Sequence, residues 1–252
     1  MILRRLSQSL KEQNWTAIAV EFVLLVAGVF LGIEAQQWNN ERADRQQERV
    51  YLERILSDVD ISIETNKLNV ERLTAISDEE SFVVASLRQC SLPEARRDYF
   101  ADGLSDLGKV GTSVFVLSTV DEMLSAGKFS IIRNPKMRDT LNGLARDAKY
   151  QSNIFNAVNT QIGAAATTTS TRVIRIYTDH KTPFDPVRWD ELDIDFNALC
   201  KDRQFQSAVS TIRYLTDAGI SLNNRALNSL RIAKTELERE LGRAQKPGEH
   251  AR

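Results

Sequence analysis

The stretch Trp15–Trp38, WTAIAVEFVLLVAGVFLGIEAQQW, constrains the chain more than any other, because it is the only long apolar run in it. Twenty-two residues lie between the two tryptophans, about 33 Å of α-helix against a hydrocarbon thickness of roughly 30 Å. Trp15 and Trp38 fall where amphipathic rings sit best, at the two membrane–water interfaces. Glu21 interrupts the run and costs about 2.5–3.5 kcal/mol if centrally placed, while the Ile, Val, Leu and Phe residues from Ile18 to Ile33 return roughly 0.3–0.6 kcal/mol each, about 3–7 together. Insertion wins narrowly, and Glu21 lies only about 9 Å of helix beyond Trp15. A buried helix of a soluble protein and a cleaved signal peptide are the alternatives. The basic start (Arg4, Arg5, Lys11) suits a signal peptide, but an acid within the apolar core and the poor cleavage site Ile33-Glu34-Ala35 do not. The reading is an uncleaved signal anchor.

One face of this helix has packing character. Ala17, Glu21, Leu25, Gly28, Gly32 and Ala35 follow the 4-3 spacing of a seam. Gly28-Val-Phe-Leu-Gly32 is a GxxxG, which lets two backbones approach closely in lipid, and an acid on the same stripe can be hydrogen-bonded by a partner. The competing explanation is that glycine is simply common in membrane helices. The seam predicts association with a second copy or with another membrane protein.

Beyond the anchor the composition favours long helices: 252 residues carry only 11 Gly and 5 Pro. The formal net charge of −1 implies no nucleic-acid partner. No Gly or Pro occurs between Glu34 and Pro93, so the anchor is expected to run on as helix, with Leu52, Leu56, Val59, Ile63, Asn66, Val70 and Leu73 in 4-3 spacing. Ser77-Asp-Glu-Glu80 reads as a capping box opening a new helix. Pro93 opens another to about Leu104, Ser118-Thr-Val-Asp121 starts a third ending at Gly127, and Asn134-Pro135 starts a long one. That helix is expected to weaken at Thr167–Thr171. A short helix over 187–200 and a last long one carrying Phe205, Ala208, Ile212, Leu215, Gly219, Leu222, Ala226, Leu230, Ala233, Leu237 and Leu241 complete the pattern.

The fold class is therefore all-α: an N-terminal transmembrane helix continuing into an antiparallel bundle of long helices with short connecting helices. Residues 1–14 (Leu3, Leu6, Leu10) form an amphipathic cytoplasmic lead, 15–38 the span, 39–243 a periplasmic bundle and 244–252 a polar tail. The small helices are expected to close the end or side of the bundle far from the membrane. Arg4, Arg5 and Lys11 before the span are matched by Arg42, Arg45 and Arg49 after it. The charge rule is thus tied, and the orientation rests on a short basic N-terminus staying inside. Cys90 and Cys200 would both fall in the connecting layer; outside the cytoplasm they could close one disulfide, and otherwise they are two unrelated thiols.

No GxGxxG, P-loop, HExxH or GxSxG occurs. His180 and His250 have no nucleophile or metal partner in sequence, and Asp121-Glu122, Asp190-Glu191 and Asp193/Asp195 read as solvated helix ends. No cofactor, metal site or catalytic residue is expected, and the chain reads as non-enzymatic. Glu21-Phe-Val-Leu-Leu-Val-Ala-Gly28 followed by Trp38-Asn39, and Glu122-Met-Leu-Ser-Ala-Gly127-Lys-Phe-Ser-Ile-Ile-Arg-Asn134, resemble a family of bacterial single-pass inner-membrane proteins known by a domain of unknown function. The resemblance implies location and a single pass, not an activity, and does not extend to the last 80 residues or so. The expected function is a scaffold or accessory subunit of a membrane complex; the alternative is a periplasmic bundle that senses a small molecule and signals through a partner.

Overall fold

The structure is a computed structural model that describes residues 15–109, 111–176 and 186–244. The lead over 1–14, the two histidines and the tail beyond Ala244 lie outside the described residues. The fold is all-α, with almost no strand. In chain order it contains α1 (Trp15–Gln89), α2 (Arg97–Asp106), α3 (Ser118–Ser125), α4 (Pro135–Ser170), β1 (Ile174–Arg175), β2 (Leu192–Asp193), α5 (Phe196–Leu199) and α6 (Arg203–Ala244), with 3-10 turns at Glu94–Arg96, Phe129–Ile131 and Trp189–Glu191. Two compact units divide the chain, Met1–Tyr51 and Leu52–Arg252.

The second unit is built on α6. Its stripe from Phe205 to Leu237 is buried throughout. Contacts between α1 and α6 step in opposite directions along the two helices: Lys234 Nζ to Asp60 Oδ1 at 2.7 Å, Ser77 Oγ to Asp217 Oδ1 at 3.1 Å, and Arg213 Nε to Ser81 Oγ at 2.6 Å. Those between α4 and α6 do the same, from Asn134 Nδ2 to Glu240 Oε2 at 2.7 Å, through Ser229 Oγ to Asp147 Oδ2 at 2.9 Å, to Arg172 with Gln204 just past the end of α4. Both neighbours therefore run antiparallel to α6.

What occupies the fourth position of this bundle is not a helix. Residues 111–117 run extended and antiparallel beside α1, held by a polar stripe one turn apart. Asn69 Nδ2 donates to the Thr112 carbonyl (2.9 Å); Asn66 Nδ2 donates to the Val114 carbonyl (2.7 Å) and its Oδ1 accepts from Val114 N (3.1 Å). Ser62 Oγ accepts from Val116 N (2.8 Å), and Asp58 Oδ2 accepts from Thr119 N and Ser118 Oγ, each at 2.9 Å. These side chains do for the segment what a neighbouring strand would do, because a buried backbone amide without a partner is costly. Gly111 fits closely here: a Cβ would lie 3.1 Å from the Arg72 guanidinium and 3.4 Å from Leu73 Cδ1, so the Arg72 side chain would have to shift.

Several sequence expectations need correction. No helix starts at Ser77; α1 continues to Gln89, and Ser77 and Glu80 lie inside it, both buried. The expected helix over 187–200 is instead a 3-10 turn, a two-residue strand and one short helix. Pairing of Ile174 with Asp193 and Arg175 with Leu192 keeps the chain extended, and Asp195 caps α5 by accepting from Ala198 N at 3.1 Å. In the second unit α3 sits beside residues 54–58 of α1, with Arg54 and Glu122 ion-paired at 2.5 Å, at the opposite end from Cys90. It does not close the same end as α2. Its N-terminal amide is capped from α1 by Asp58, not by its own Ser118. Ile55 takes the core place expected of Leu56.

The start of α4 matches the reading, with Pro135 in the first turn and Asn134 Oδ1 accepting from Lys136 N at 3.0 Å. The helix stops at Ser170, within the weak threonine run. Cys90 and Cys200 are joined as a disulfide with Cα atoms 5.2 Å apart, a normal span for the bond. It fastens the end of α1 to the turn before α6.

The Asn66 bonds make a direct test. Asn66→Leu strands the half-buried Val114 amide and carbonyl, and is expected to lower unfolding stability by about 1–3 kcal/mol. Urea denaturation of the purified protein reads this, and an unchanged midpoint would mean that the polar stripe does not hold the extended segment.

Candidate functional site

The seam residues Ala17, Glu21, Leu25, Gly28, Gly32 and Ala35 all lie in α1. The helix contains an 18-residue window of mean hydropathy 2.2, none of it buried by the described residues, so it is long and apolar enough to cross a membrane. Exposure goes all round: Val20, Phe22, Leu25, Phe30 and Leu31 are each more than half exposed, and so is Trp38, whose ring lies 6.0 Å from the Arg42 guanidinium. A Cβ added at Gly28 or Gly32 would meet nothing within 4 Å. The glycines are therefore not spent on packing inside the chain, and Glu21 shares their exposed surface. A helix apolar all round is covered either by lipid or by other helices.

A second set of functional groups was not legible as such. Glu80 is 0 % exposed, between α1 and α6, and both of its carboxyl oxygens lack a hydrogen-bond partner. Burial pushes its pKa up to about 7. The Thr216 hydroxyl and Arg213 of α6 oppose that rise, while Asp106 of α2 and Asp217 of α6 add to it. None of the helpers is at its full strength. Thr216 Oγ1 donates to the Ile212 carbonyl at 3.2 Å, and Arg213 is committed to Ser81 and to an ion pair with Asp217.

Glu79, one residue earlier, is also raised to about 7, first by burial and then by Asp102 and Asp106 of α2 and by Asp78, with Lys109 opposing. Close packing of α2 brings these acids near: at Gly103 a Cβ would lie 2.8 Å from Val83 Cγ2 and 3.0 Å from the Glu79 carbonyl. Asp102 meanwhile accepts from Val187 N at 3.1 Å, and Asp98 from Trp189 N at 2.9 Å, so α2 also holds the returning chain. Around this layer pack Phe100, Leu199, Phe205 and the disulfide.

The signal that marks Glu80 is its spacing. Leu73, Ile76, Glu80, Val83 and Leu87 continue one 3-4 stripe, all buried. The capping-box pattern at Ser77 masks it, because the same Glu is the fourth and last residue of that motif. Among the described residues no group of three or more His, Cys, Asp or Glu side chains is arranged to hold a metal ion.

The pH consequence has a definite sign. Both glutamates have folded pKa values raised above the ordinary 4.5, so the fold prefers them protonated. Their ionisation in the unfolded chain makes stability fall as pH rises from 4.5 through about 7, then level off. For Glu80 the fall is on the order of 3 kcal/mol; half-exposed Glu79 adds less, being screened by solvent. Urea midpoints at about pH 5 and about pH 8 read the difference. Glu80→Gln should flatten most of the dependence; a slope the same as in the parent protein would contradict the assignment.

Comparison of the chain with protein-family models, curated proteins and solved structures gives no match.

Proposed function

We propose that the chain is a bacterial inner-membrane protein that crosses the bilayer once, through residues 15–38, with its N-terminus in the cytoplasm and residues 39–243 in the periplasm. It acts without catalysis, by helix–helix association through the Glu21/Gly28/Gly32 seam, as a scaffold or accessory subunit. The observation that carries this reading is the seam itself: an acid and two glycines on one stripe of an apolar helix, with nothing among the described residues covering them. In lipid the glycines let two backbones approach, and the carboxyl gains a hydrogen-bonding partner that hydrocarbon cannot give. Apolar side chains on the other faces are satisfied by the acyl chains.

The Cys90–Cys200 disulfide supports the orientation, since such bonds persist in the oxidising periplasm and are rare in the cytoplasm. The partner at the seam is a second copy or another membrane protein.

Site-specific crosslinking in the full chain tests the reading, with one cysteine added at a time and the native disulfide kept. Leu25→Cys and Ala35→Cys are expected to crosslink far above Val20→Cys, Ala27→Cys and Leu31→Cys. Gly32→Leu should weaken association about tenfold, the equivalent of about 1–2 kcal/mol of helix packing. Equal yields on both faces would reject the seam.

A further inference from the structure

The helix α2 is a short cover laid on the last turns of α1, with Pro93 ahead of it and Gly108, at φ +86°, behind it. Phe100, Ala101 and Leu104 of α2 are buried in one core cluster with Val83 and Leu87 of α1. Tyr99 meets the Phe82 ring edge-on, the ring centres 5.3 Å apart. The contact is tightest at Gly103, where a Cβ would meet both Val83 Cγ2 and the Glu79 carbonyl at 3.0 Å or less. Such packing leaves no slack, so α2 either seats fully or leaves.

The groups flanking that contact are mostly acids. α1 contributes Asp78, Glu79 and Glu80, and α2 contributes Asp102 and Asp106, both near enough to Glu79 to repel its charge. Asp217 of α6 adds to the same field at Glu80. The neighbouring cations are engaged: Lys109 is ion-paired with Asp106 and Arg213 with Asp217, while the Arg96 guanidinium lies over the Tyr99 and Phe82 rings at 4.3 and 4.7 Å. The Thr216 hydroxyl is given to the Ile212 carbonyl at 3.2 Å. Glu80 is fully buried, and neither of its carboxyl oxygens has a hydrogen-bond partner. As a carboxylate it would have neither water nor an uncommitted cation, and Glu79 as a carboxylate would face two acids of α2.

α2 is also placed to move without dismantling the bundle. Asp102 accepts from Val187 N and Asp98 from Trp189 N, so these two bonds tie α2 to the returning chain and not to a long helix. The Cys90–Cys200 disulfide holds the chain just ahead of α2, and the long helices stay joined there when α2 departs.

We propose that α2 is a pH-gated cover: when Glu79 and Glu80 lose their protons, α2 lifts from α1 together with the chain it holds at Val187 and Trp189, and uncovers Val83 and Leu87. The seated state is the one that keeps the protons. Seated, burial and the facing acids push both glutamates up to about 7; lifted, water reaches them and they return toward the ordinary 4.5. Seating is therefore strongest at about pH 4.5 and below, weakens as pH rises through about 7, and levels off above it. The device lies within Leu52–Arg252 and does not depend on the membrane seam.

Hydrogen exchange of the full chain in detergent micelles, read by mass spectrometry at about pH 5.5 and about pH 8.5, tests this, with each rate divided by that of unstructured chain at the same pH. Protection of the amides over 97–106 is expected to fall at least about tenfold across that range. It should also stay below that of 205–237 in α6, because α2 leaves while the bundle remains folded. Glu79→Gln with Glu80→Gln should keep 97–106 protected at both pH values, the amide standing in for the protonated acid. Gly103→Ala, which cannot seat, should strip protection from 97–106 even at the lower pH. Four results would each overturn the proposal: protection of 97–106 that ignores pH; equal protection of 97–106 and 205–237 at both pH values, as global unfolding alone would give; a pH dependence that survives in the double glutamine variant; or undiminished protection in Gly103→Ala.

Discussion

Residues 18–35 present apolar side chains on every side of a helix, and nothing among the described residues covers them. Water is a poor solvent for that surface, and the gain from burying it in lipid exceeds, narrowly, the cost of one carboxyl there. The proposed bilayer location, the seam and the idea of a partner all follow from this single mismatch between surface and solvent. In the proposed reading, Glu21 and the glycines set which side of the helix faces protein and which faces acyl chains.

The unit formed by Leu52–Arg252 answers a different need. Three long helices leave one position of a bundle open, and the chain fills it with extended backbone. Such backbone can be buried only if its amides and carbonyls find partners, and Asp58, Ser62, Asn66 and Asn69 supply them from α1. The polar residues inside this unit are therefore of two kinds. Some, like Asn66, are fully matched and specify one arrangement. Others, like Glu80 and Gln151, are buried with unmatched oxygens, and these reduce stability; protonation relieves the cost at Glu80.

The legibility of the sequence followed the physics. The stripe of α6 was readable because one helix with two partners buries a continuous face, and every apolar position from Phe205 to Leu237 in it is used. Asn134-Pro135 was readable because capping is local chemistry. Ser77–Glu80 misled because local capping chemistry and the packing stripe compete for the same residues, and a helix already propagating past Ser77 has no orphan amides for it to cap. Residues 111–117 gave no periodic signal, since their partners are side chains 43 to 54 positions earlier. The stretch 187–200 looked helical in composition, but strand pairing to Ile174–Arg175 outweighed propensity. Gln151 carries no sequence signal, since one polar residue in a helical stripe reads as a solvated position until its burial is known.

Partition of the full-length protein between membrane and supernatant tests the central claim most directly. Membranes from lysed cells are washed with alkaline carbonate, which strips peripheral proteins, and then with a mild detergent. The account predicts that the protein resists the carbonate wash and is released by detergent alone. Recovery of the intact chain in the supernatant before detergent would contradict it.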